Sequence, residues 1–250
     1  MQYSIVIPAY NESRRIVPTL NRVLTYLAKQ GWDAELIVVN DGSRDDTAEI
    51  VRRFAEKNPM MGLLENPGNR GKGYSVRNGM LNARGDVLLF SDADLSSPIE
   101  EAAKLLQAIA NGADVAIGSR WMNAELQTER QPLYRQLFGR LFNLILRVVL
   151  GLKYKDTQCG FKAFTSRAAH AIFPLQRIER WGFDPELIFL AQKQGFKVVE
   201  VPVQWAHDEK TTLSPLRDGT RMFFEVMKIR WNAITGKYPT RRAGSGAATL

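Results

Sequence analysis

Short apolar runs alternate with longer segments of helical periodicity through the first half of the chain. The apolar runs predict strands at Ser4–Pro8, Glu35–Val39, Gly62–Glu65, Val87–Phe90 and Val115–Gly118. The segments between them repeat apolar residues at helical spacing and predict helices at Arg15–Lys29, Thr47–Lys57, Tyr74–Ala83 and Ile99–Ala110. This alternation predicts an α/β fold with a mostly parallel sheet flanked by helices, because parallel strands need crossover connections.

The pattern changes after Arg120. Helices are predicted at Leu133–Leu150, Asp184–Gln194 and Arg217–Ile234, and strands at Gly160–Phe164 and Val198–Val203. The first and last of these helices carry basic residues beside an apolar face, which is typical of amphipathic helices. We expect a single domain over residues 1–235 and a disordered tail over residues 236–250.

The balance of charge narrows the choice of partner. The chain of 250 residues has a formal net charge of +8, which indicates an anionic partner such as a nucleic acid, an acidic lipid or a phosphorylated substrate. The single Cys159 excludes an internal disulfide and fits a reducing compartment. No uninterrupted apolar stretch reaches about 20 residues, the length of a transmembrane helix, and no signal peptide is expected.

Polar residues that could bind a ligand follow three of the predicted strands. Each of these strands ends in a pair of polar side chains: Tyr10 with Glu12, Asp41 with Ser43, and Asp92 with Asp94. Ligands of open α/β sheets bind at the carboxyl ends of the strands, so we expect the three pairs to meet in one crevice. Taken singly, Glu12 could be a first-turn helix acid, and Asp41 could belong to a turn.

Asp92 and Asp94 suggest a metal site. Two carboxylates at the end of a buried strand can share a hard divalent cation, such as Mg²⁺ or Mn²⁺, and hold it against substrate phosphates. The structural alternative is that Asp92 caps the next turn and Asp94 caps the helix near Ile99.

Two basic residues could serve an anionic ligand. Lys72 belongs to a Gly-rich loop, Gly68–Gly73, which matches neither a P-loop nor a dinucleotide-binding motif. We interpret the loop as a tight turn in which Lys72 either faces a diphosphate or has no ligand role. Arg120 either pairs bidentately with a phosphate or is a solvated surface arginine.

Four segments together resemble the family 2 inverting glycosyltransferases, which have a GT-A fold. They are Ile5–Glu12, Val38–Ser43, Asn69–Gly73 and Asp92–Asp94. Within this family the chain is most similar to the dolichyl- and polyprenyl-phosphate sugar synthases. Their glucosyl branch is matched through Gly118–Arg120, Asp156–Lys162 and Arg180–Leu187.

The resemblance implies a binding site for a UDP- or GDP-sugar donor in residues 1–120. The nucleoside would contact Pro8, Tyr10, Glu12, Val39 and Asp41. Asp92 and Asp94 would hold Mg²⁺ or Mn²⁺ against the diphosphate, with Ala93 in the same substrate site. Lys72 would face the diphosphate, and Arg120 would contact a phosphate of the donor or of the lipid acceptor.

Residues 121–235 would then form the half of the domain that faces the acceptor and the membrane. Lys210 or Arg217 would supply the basic residue that the family places after its final strand. Ser96 stands where mannosyl members often carry a glutamine ligand, so no third protein ligand to the metal is assigned.

The reaction implied is an inverting transfer of a hexose, glucose or mannose, to a dolichyl or polyprenyl phosphate, with release of UDP or GDP. The metal would neutralise charge on the diphosphate leaving group, which places Asp94 among the catalytic residues. A lipid phosphate is already an anion, so positioning can replace a general base. If a base acts, Asp156 and Asp184 are the candidates, and a structural role is the alternative for each.

A lipid acceptor would require contact with a membrane surface. The basic amphipathic helices predicted at Leu133–Leu150 and Arg217–Ile234 can lie in the headgroup region of anionic lipid. Ordinary core packing is the alternative. We expect a peripheral protein at the cytoplasmic face of the membrane, with a membrane-protein partner as a further expectation.

Three other functions compete with this interpretation. A related transferase could act on a saccharide acceptor in cell-envelope glycan synthesis. A nucleotidyltransferase would need a Gly-rich basic loop after the first strand, where this chain has Ala9–Glu12. A non-enzymatic nucleotide- or nucleic-acid-binding module would use the basic charge, but the sequence carries no nucleic-acid motif, so we expect no nucleic-acid partner.

Overall fold

The structure, a computed structural model, describes residues 1–123, 143–206 and 215–240. Seven strands within these residues form one sheet. They are β1 (Tyr3–Ala9), β2 (Ala34–Asn40), β3 (Met61–Glu65), β4 (Val87–Ser91), β5 (Val115–Ser119), β6 (Phe161–Thr165) and β7 (Val198–Pro202). Each corresponds to a strand that the apolar runs predicted.

The helices flank this sheet. They are α1 (Ile16–Gln30), α2 (Thr47–Lys57), α3 (Lys72–Asn82), α4 (Ala102–Ala110), α5 (143–150), α6 (Ser166–Ile172), α7 (Phe183–Lys193) and α8 (Pro215–Ile234). The sequence analysis gave no bounds for α6, although Thr165 gives a local signal for its start. The Thr165 hydroxyl caps this helix by accepting a hydrogen bond from the backbone N–H of Ala168.

The sheet has the strand order β3-β2-β1-β4-β6-β5-β7. The pairs β1–β2, β1–β4, β2–β3 and β5–β7 are parallel. β6 lies antiparallel between β4 and β5. The predicted α/β fold with a mostly parallel sheet and flanking helices is therefore confirmed, and strands from both predicted halves of the chain share one sheet.

Both faces of the sheet are buried, as a parallel sheet requires. Along β1, Ile5 packs in a cluster with Leu20 of α1. The next residue, Val6, belongs to the cluster on the opposite face, which also contains Val76 of α3 and Val226 of α8. Successive residues of a strand point to opposite faces, so one apolar run serves both helix layers.

The domain extends beyond the predicted boundary at residue 235. Tyr238 is buried, and its hydroxyl donates a hydrogen bond to the Glu186 carboxylate of α7. The Asn232 side chain donates to the same hydroxyl at 3.3 Å. The expectation of a disordered tail from residue 236 is therefore wrong for the segment around Tyr238, and residues 241–250 lie outside the described residues.

The predicted basic helices are described in part. The residues of the first one that the structure describes form α5, while 124–142 lie outside the described residues. α8 corresponds to the second. Among the helices that the structure describes, none combines the length and the apolar character needed to cross a bilayer.

α3 packs unusually close to the sheet at Gly79. A Cβ atom at this position would lie 2.3 Å from Cγ1 of Val6 and 2.9 Å from Cγ2 of Val39. Both valines are fully buried. The absence of a side chain at Gly79 therefore fixes how closely α3, and with it Lys72 at its first turn, approaches β1 and β2.

We expect Gly79→Ala to lower the free energy of unfolding by about 1–3 kcal/mol, because a methyl group would overpack a filled core. Gly219→Ala in α8 is the matched control, since a Cβ there has nothing within 4 Å. The control should be neutral or stabilising by up to about 1 kcal/mol, the helix preference for alanine. Urea unfolding of both variants measures the difference, and equal effects would contradict the close-packing account.

Candidate active site

The loops that follow β1 and β2 are joined by hydrogen bonds. The backbone N–H of Asn11 donates to the Ser43 hydroxyl at 3.0 Å, and the Asn11 side-chain carbonyl accepts from the N–H of Arg44 at 2.8 Å. Asn11 takes a left-handed conformation, with φ of 56°, which asparagine tolerates better than most residues. The first two polar clusters therefore meet at one edge of the sheet, as the sequence predicted.

The residues predicted to hold the nucleoside line this edge in different ways. Tyr10 is exposed, whereas Glu12 forms an ion pair with Arg15. Pro8 and Val39 are buried partners in the β1–β2 ladder, and Val39 packs in the core cluster with Val76 of α3. Contact of these side chains with a nucleoside remains a prediction.

Asp41, another predicted nucleoside contact, is buried and anchors the Gly-rich loop. One carboxylate oxygen accepts the backbone N–H of Arg70 at 2.9 Å and the side-chain amide of Asn66 at 2.8 Å. The other oxygen accepts the N–H of Gly71 at 2.8 Å. The structure thus gives Asp41 a role in shaping the loop, which the resemblance did not reveal.

The Gly-rich loop, anchored by Asp41, places Lys72 at the end of β4. Gly71 has φ of 109°, a conformation open to glycine, and a Cβ on Gly73 would lie 2.7 Å from the carbonyl oxygen of Ile178. Nζ of Lys72 lies 2.5 Å from Oδ1 of Asp92 and 5.6 Å from the ring centre of Trp181. The structure therefore brings Lys72 to the predicted metal site.

Asp92 and Asp94 lie together where β4 ends. A Cβ on Gly160 would lie 2.4 Å from Oδ2 of Asp92, so only a glycine leaves room for this carboxylate. Oδ1 of Asp94 accepts the backbone N–H of Ser96 at 2.9 Å. The turn at Ile99 has no side-chain cap, so the alternative that Asp94 caps that helix is wrong.

Burial raises the pKa of Asp94, and the neighbouring charge of Asp92 raises it further. The site therefore carries negative charge that the described protein neutralises only in part. Among the described residues, no third His, Cys, Asp or Glu joins this pair in a metal-sized cluster. Two carboxylates at the carboxyl end of a parallel strand fit Mg²⁺ or Mn²⁺, whose remaining ligands are commonly phosphate oxygens and water.

Arg120 and Asp156 form a buried bidentate ion pair. Nε of Arg120 donates to Oδ2 of Asp156 at 2.7 Å, and Nη2 donates to Oδ1 at 2.9 Å. Burial alone would raise the pKa of Asp156, but the Arg120 guanidinium holds it below its usual range. Asp156 is 1% exposed, so the structure argues against its predicted role as a general base.

Asp184 is also engaged by a cation. Its carboxylate forms an ion pair with Lys162, which is 0% exposed and lies 5.5 Å from the ring centre of Phe90. Sequence reasoning missed Lys162, although a lysine inside the apolar run Gly160–Phe164 was a usable signal, because lysine is rarely buried without a partner. A base role for Asp184 would require this pair to open.

The remaining predicted site residue is Lys210, which lies outside the described residues. The structure places the others around one edge of the sheet. Asp92, Asp94 and Lys72 are close together, and the residue between the two aspartates, Ala93, is buried. Burial alone would lower the pKa of both Lys72 and Arg120, whereas the Asp184 carboxylate, which pairs with Lys162, helps to raise it. This ion pair and that of Arg120 with Asp156 therefore both lie near the cluster.

Comparison with protein families identifies the scaffold. The sequence model of Glycosyl transferase family 2 matches residues 4–173. The chain belongs to this family. It is therefore a glycosyltransferase, and the resemblance drawn from the motifs is confirmed.

Its curated relatives point to one branch of glycosyl transferase family 2. The chain is 42% identical over 239 residues to the dolichyl-phosphate beta-glucosyltransferase ALG5C of Trichomonas vaginalis, covering 90% of this chain and 70% of that protein. It is 32% identical over 250 residues to the dolichyl-phosphate beta-glucosyltransferase of Homo sapiens, covering 95% of this chain and 77% of the human protein.

Solved structures confirm the GT-A fold. The glucosyl-3-phosphoglycerate synthase of Mycobacterium tuberculosis with bound UDP superposes with a TM-score of 0.66 at 21% identity, over 100% of this chain and 84% of that one. The same enzyme in complex with Mn²⁺, UDP and glucosyl-3-phosphoglycerate gives a TM-score of 0.63 at 19% identity, over 99% and 84%. At this level of identity the likeness concerns the fold.

We expect Asp156→Asn to lower the free energy of unfolding by about 3–5 kcal/mol at neutral pH, because it removes the charge of the buried carboxylate that pairs with the largely shielded guanidinium of Arg120. The folded-state pKa of Asp156 is lowered, so its stabilisation is complete above the unfolded pKa of about 4 and is lost as the pH falls further. The difference between wild type and variant should therefore shrink in acid, as measured by urea unfolding.

Glu100→Gln is the matched control for Asp156→Asn. Glu100 pairs with Arg22 through the same two-bond geometry, at 3.0 and 2.9 Å, but both side chains are exposed. Exposed pairs contribute less than about 1 kcal/mol. A loss in Asp156→Asn no larger than that of the control would refute a structural role for the buried pair.

Proposed function

We propose that the protein transfers glucose from a nucleotide-sugar, UDP- or GDP-linked, to dolichyl or another polyprenyl phosphate. The products are a lipid-phosphate sugar and the nucleoside diphosphate. The observation that carries the proposal is that Lys72 contacts Asp92 beside Asp94 at the end of β4, and that Arg120 follows β5, whose carboxyl end lies at the same edge of the sheet. These residues lie in a chain similar over most of its length to dolichyl-phosphate beta-glucosyltransferases.

The donor site follows from this arrangement. Asp92 and Asp94 would hold Mg²⁺ or Mn²⁺, which when bound neutralises the charge on a diphosphate leaving group. Lys72 lies beside the two carboxylates and adds a further positive charge for that diphosphate. Tyr10 and Glu12 lie on the loop where the nucleoside would be bound, next to the ends of β1 and β2 that contain Pro8 and Val39.

For the acceptor, we infer that the protein must position the attacking phosphate and need not remove a proton from it. A phosphate monoester is an anion near neutral pH, so it can attack without a protein base. Asp156 and Asp184 are both ion-paired with buried or half-buried cations, which is consistent with such a mechanism. The fixed guanidinium of Arg120 then orients a phosphate, because its partner Asp156 prevents it from turning away.

The direct test is transfer of radiolabelled sugar to a polyprenyl phosphate in detergent, with UDP-glucose and GDP-mannose in parallel and with Mn²⁺ or Mg²⁺. We expect label from UDP-glucose in the lipid phase. Asp94→Asn should lower this transfer by at least about 100-fold, the scale at which loss of one stabilising group at a leaving charge is felt. A chelator should abolish transfer.

The outcomes separate the competing functions. Lipid labelling from GDP-mannose alone would correct the donor. Donor hydrolysis that needs metal and Asp94, without lipid labelling, would favour a saccharide acceptor. No transfer and no hydrolysis with either donor would refute the proposed activity.

We further propose that α8 brings the protein to the membrane. Val226 and Ile229 are buried in the core, whereas Phe224 is 66% exposed and Trp231 is 63% exposed. Basic residues lie beside these side chains on the same helix: Arg221, Lys228 and Arg230. An aromatic face flanked by cations suits the headgroup region of anionic lipid. We infer peripheral attachment at the cytoplasmic face, with a membrane-protein partner as an additional anchor.

We expect the double variant Phe224→Ser, Trp231→Ser to bind anionic vesicles at least about tenfold more weakly, because each apolar side chain withdrawn from water contributes about 1.5–3 kcal/mol. Leu81→Ser is the control, since Leu81 is an exposed apolar residue on α3. Co-sedimentation with phosphatidylcholine vesicles, with and without phosphatidylglycerol, measures the binding. Unchanged binding of the double variant would refute attachment through α8.

A further inference from the structure

The ammonium group of Lys72 lies at the proposed metal site itself. Its Nζ atom is 2.5 Å from Oδ1 of Asp92. This is the distance of a strong charge-assisted contact. Both side chains are largely shielded from water, with exposed fractions of 18% for Lys72 and 31% for Asp92. A cation of the protein thus occupies the carboxylate that a bound metal would use.

Neighbouring residues fix the backbone around Lys72, whereas the lysine side chain can reach more than one anionic partner. Asp41 anchors Gly71 through its backbone N–H, and the Ile178 carbonyl leaves no room for a side chain at Gly73. The ammonium lies near the rings of Trp181 and Phe183, at 5.6 and 5.9 Å from their centres. The flexible lysine stem can rotate while its Cα stays fixed.

Asp92 cannot serve both cations equally. A divalent ion bound to its carboxylate would stand close to the ammonium, and two cations repel strongly where water is scarce. Asp94 differs, since the charge of Lys72 acts on it but Lys72 makes its ion pair with Asp92. Metal binding therefore competes with Lys72 most directly at Asp92.

We propose that Lys72 is an internal substitute for the metal, which holds Asp92 in the metal-free protein and moves to the diphosphate of the donor when the metal binds. This inference depends on the proposed donor and metal sites. It implies that metal alone binds weakly, because Lys72 must leave Asp92 without a new anionic partner. A nucleoside diphosphate supplies that partner, so metal and nucleotide strengthen each other's binding.

The test is binding of Mn²⁺, measured by electron paramagnetic resonance and by calorimetry, without any acceptor lipid. We expect Lys72→Met, which removes the charge and keeps the apolar stem, to bind Mn²⁺ alone about tenfold more tightly, a typical size for coupling between two sites. The gain in Mn²⁺ affinity that saturating UDP or GDP produces in the wild type should shrink in this variant.

Two controls separate competition from a change in the loop. Lys72→Arg keeps the positive charge and should bind Mn²⁺ alone as weakly as the wild type. Arg70→Met removes a nearby cation whose side chain pairs with Glu179 at 3.3 Å, away from Asp92, and should also leave the Mn²⁺ affinity unchanged. Tighter Mn²⁺ binding in Lys72→Met alone is a gain that a damaged fold would not produce.

Three results would overturn the proposal. They are unchanged Mn²⁺ affinity in Lys72→Met, an undiminished effect of UDP or GDP in that variant, and equal gains in Arg70→Met. Absence of Mn²⁺ binding in every protein, with or without nucleotide, would remove the metal site and this inference with it. Because none of these measurements involves sugar transfer, they remain decisive even if the proposed acceptor is wrong.

Discussion

The candidate site depends on neutralising carboxylates that are withdrawn from water. Three of them are matched by cations from other elements of the fold: Asp92 by Lys72, Asp156 by Arg120, and Asp184 by Lys162. A buried charge without a partner costs several kcal/mol, about 3–5 when one member of a pair is removed. The fold is therefore constrained to bring α3, β5, β6 and α7 together around the end of β4.

Asp94 is the carboxylate of the site that belongs to none of these three ion pairs. It is largely buried, its pKa is raised first by burial and then by Asp92, and its described contact is a backbone N–H of the adjacent turn. A site that lacks one positive charge favours a ligand that brings one. This imbalance of charge is consistent with the proposed binding of a cation together with an anionic substrate.

Helix α8 and the candidate site are joined by a short connection. The backbone N–H of Gly182 donates to the Glu225 carboxylate of α8 at 2.7 Å. The preceding residue, Trp181, is partly exposed and lies beside the ammonium of Lys72. The segment around Trp181 is therefore attached to the helix that exposes Phe224 and Trp231, so the proposed donor site and the proposed membrane face are linked through neighbouring residues.

The sequence by itself determined the strands and most helices, and it predicted the place of the donor site. Runs such as Val87–Phe90 are buried on both faces, so their composition alone identifies them, and polar residues that end parallel strands must share one edge of the sheet. The motif Asp92–Asp94 therefore indicated its chemistry without coordinates. The family resemblance added a donor and an acceptor class that no periodicity could supply.

Tertiary structure alone decided which charges meet. The antiparallel insertion of β6 between β4 and β5 places Lys162 beside Phe90 and within reach of Asp184, and strand order is not encoded in local periodicity. Likewise, Asp156 changes from a candidate base to a buried partner of Arg120 because residues 36 positions apart are brought into contact. Long-range pairing depends on packing of the whole sheet, and for that reason it was not visible in the chain.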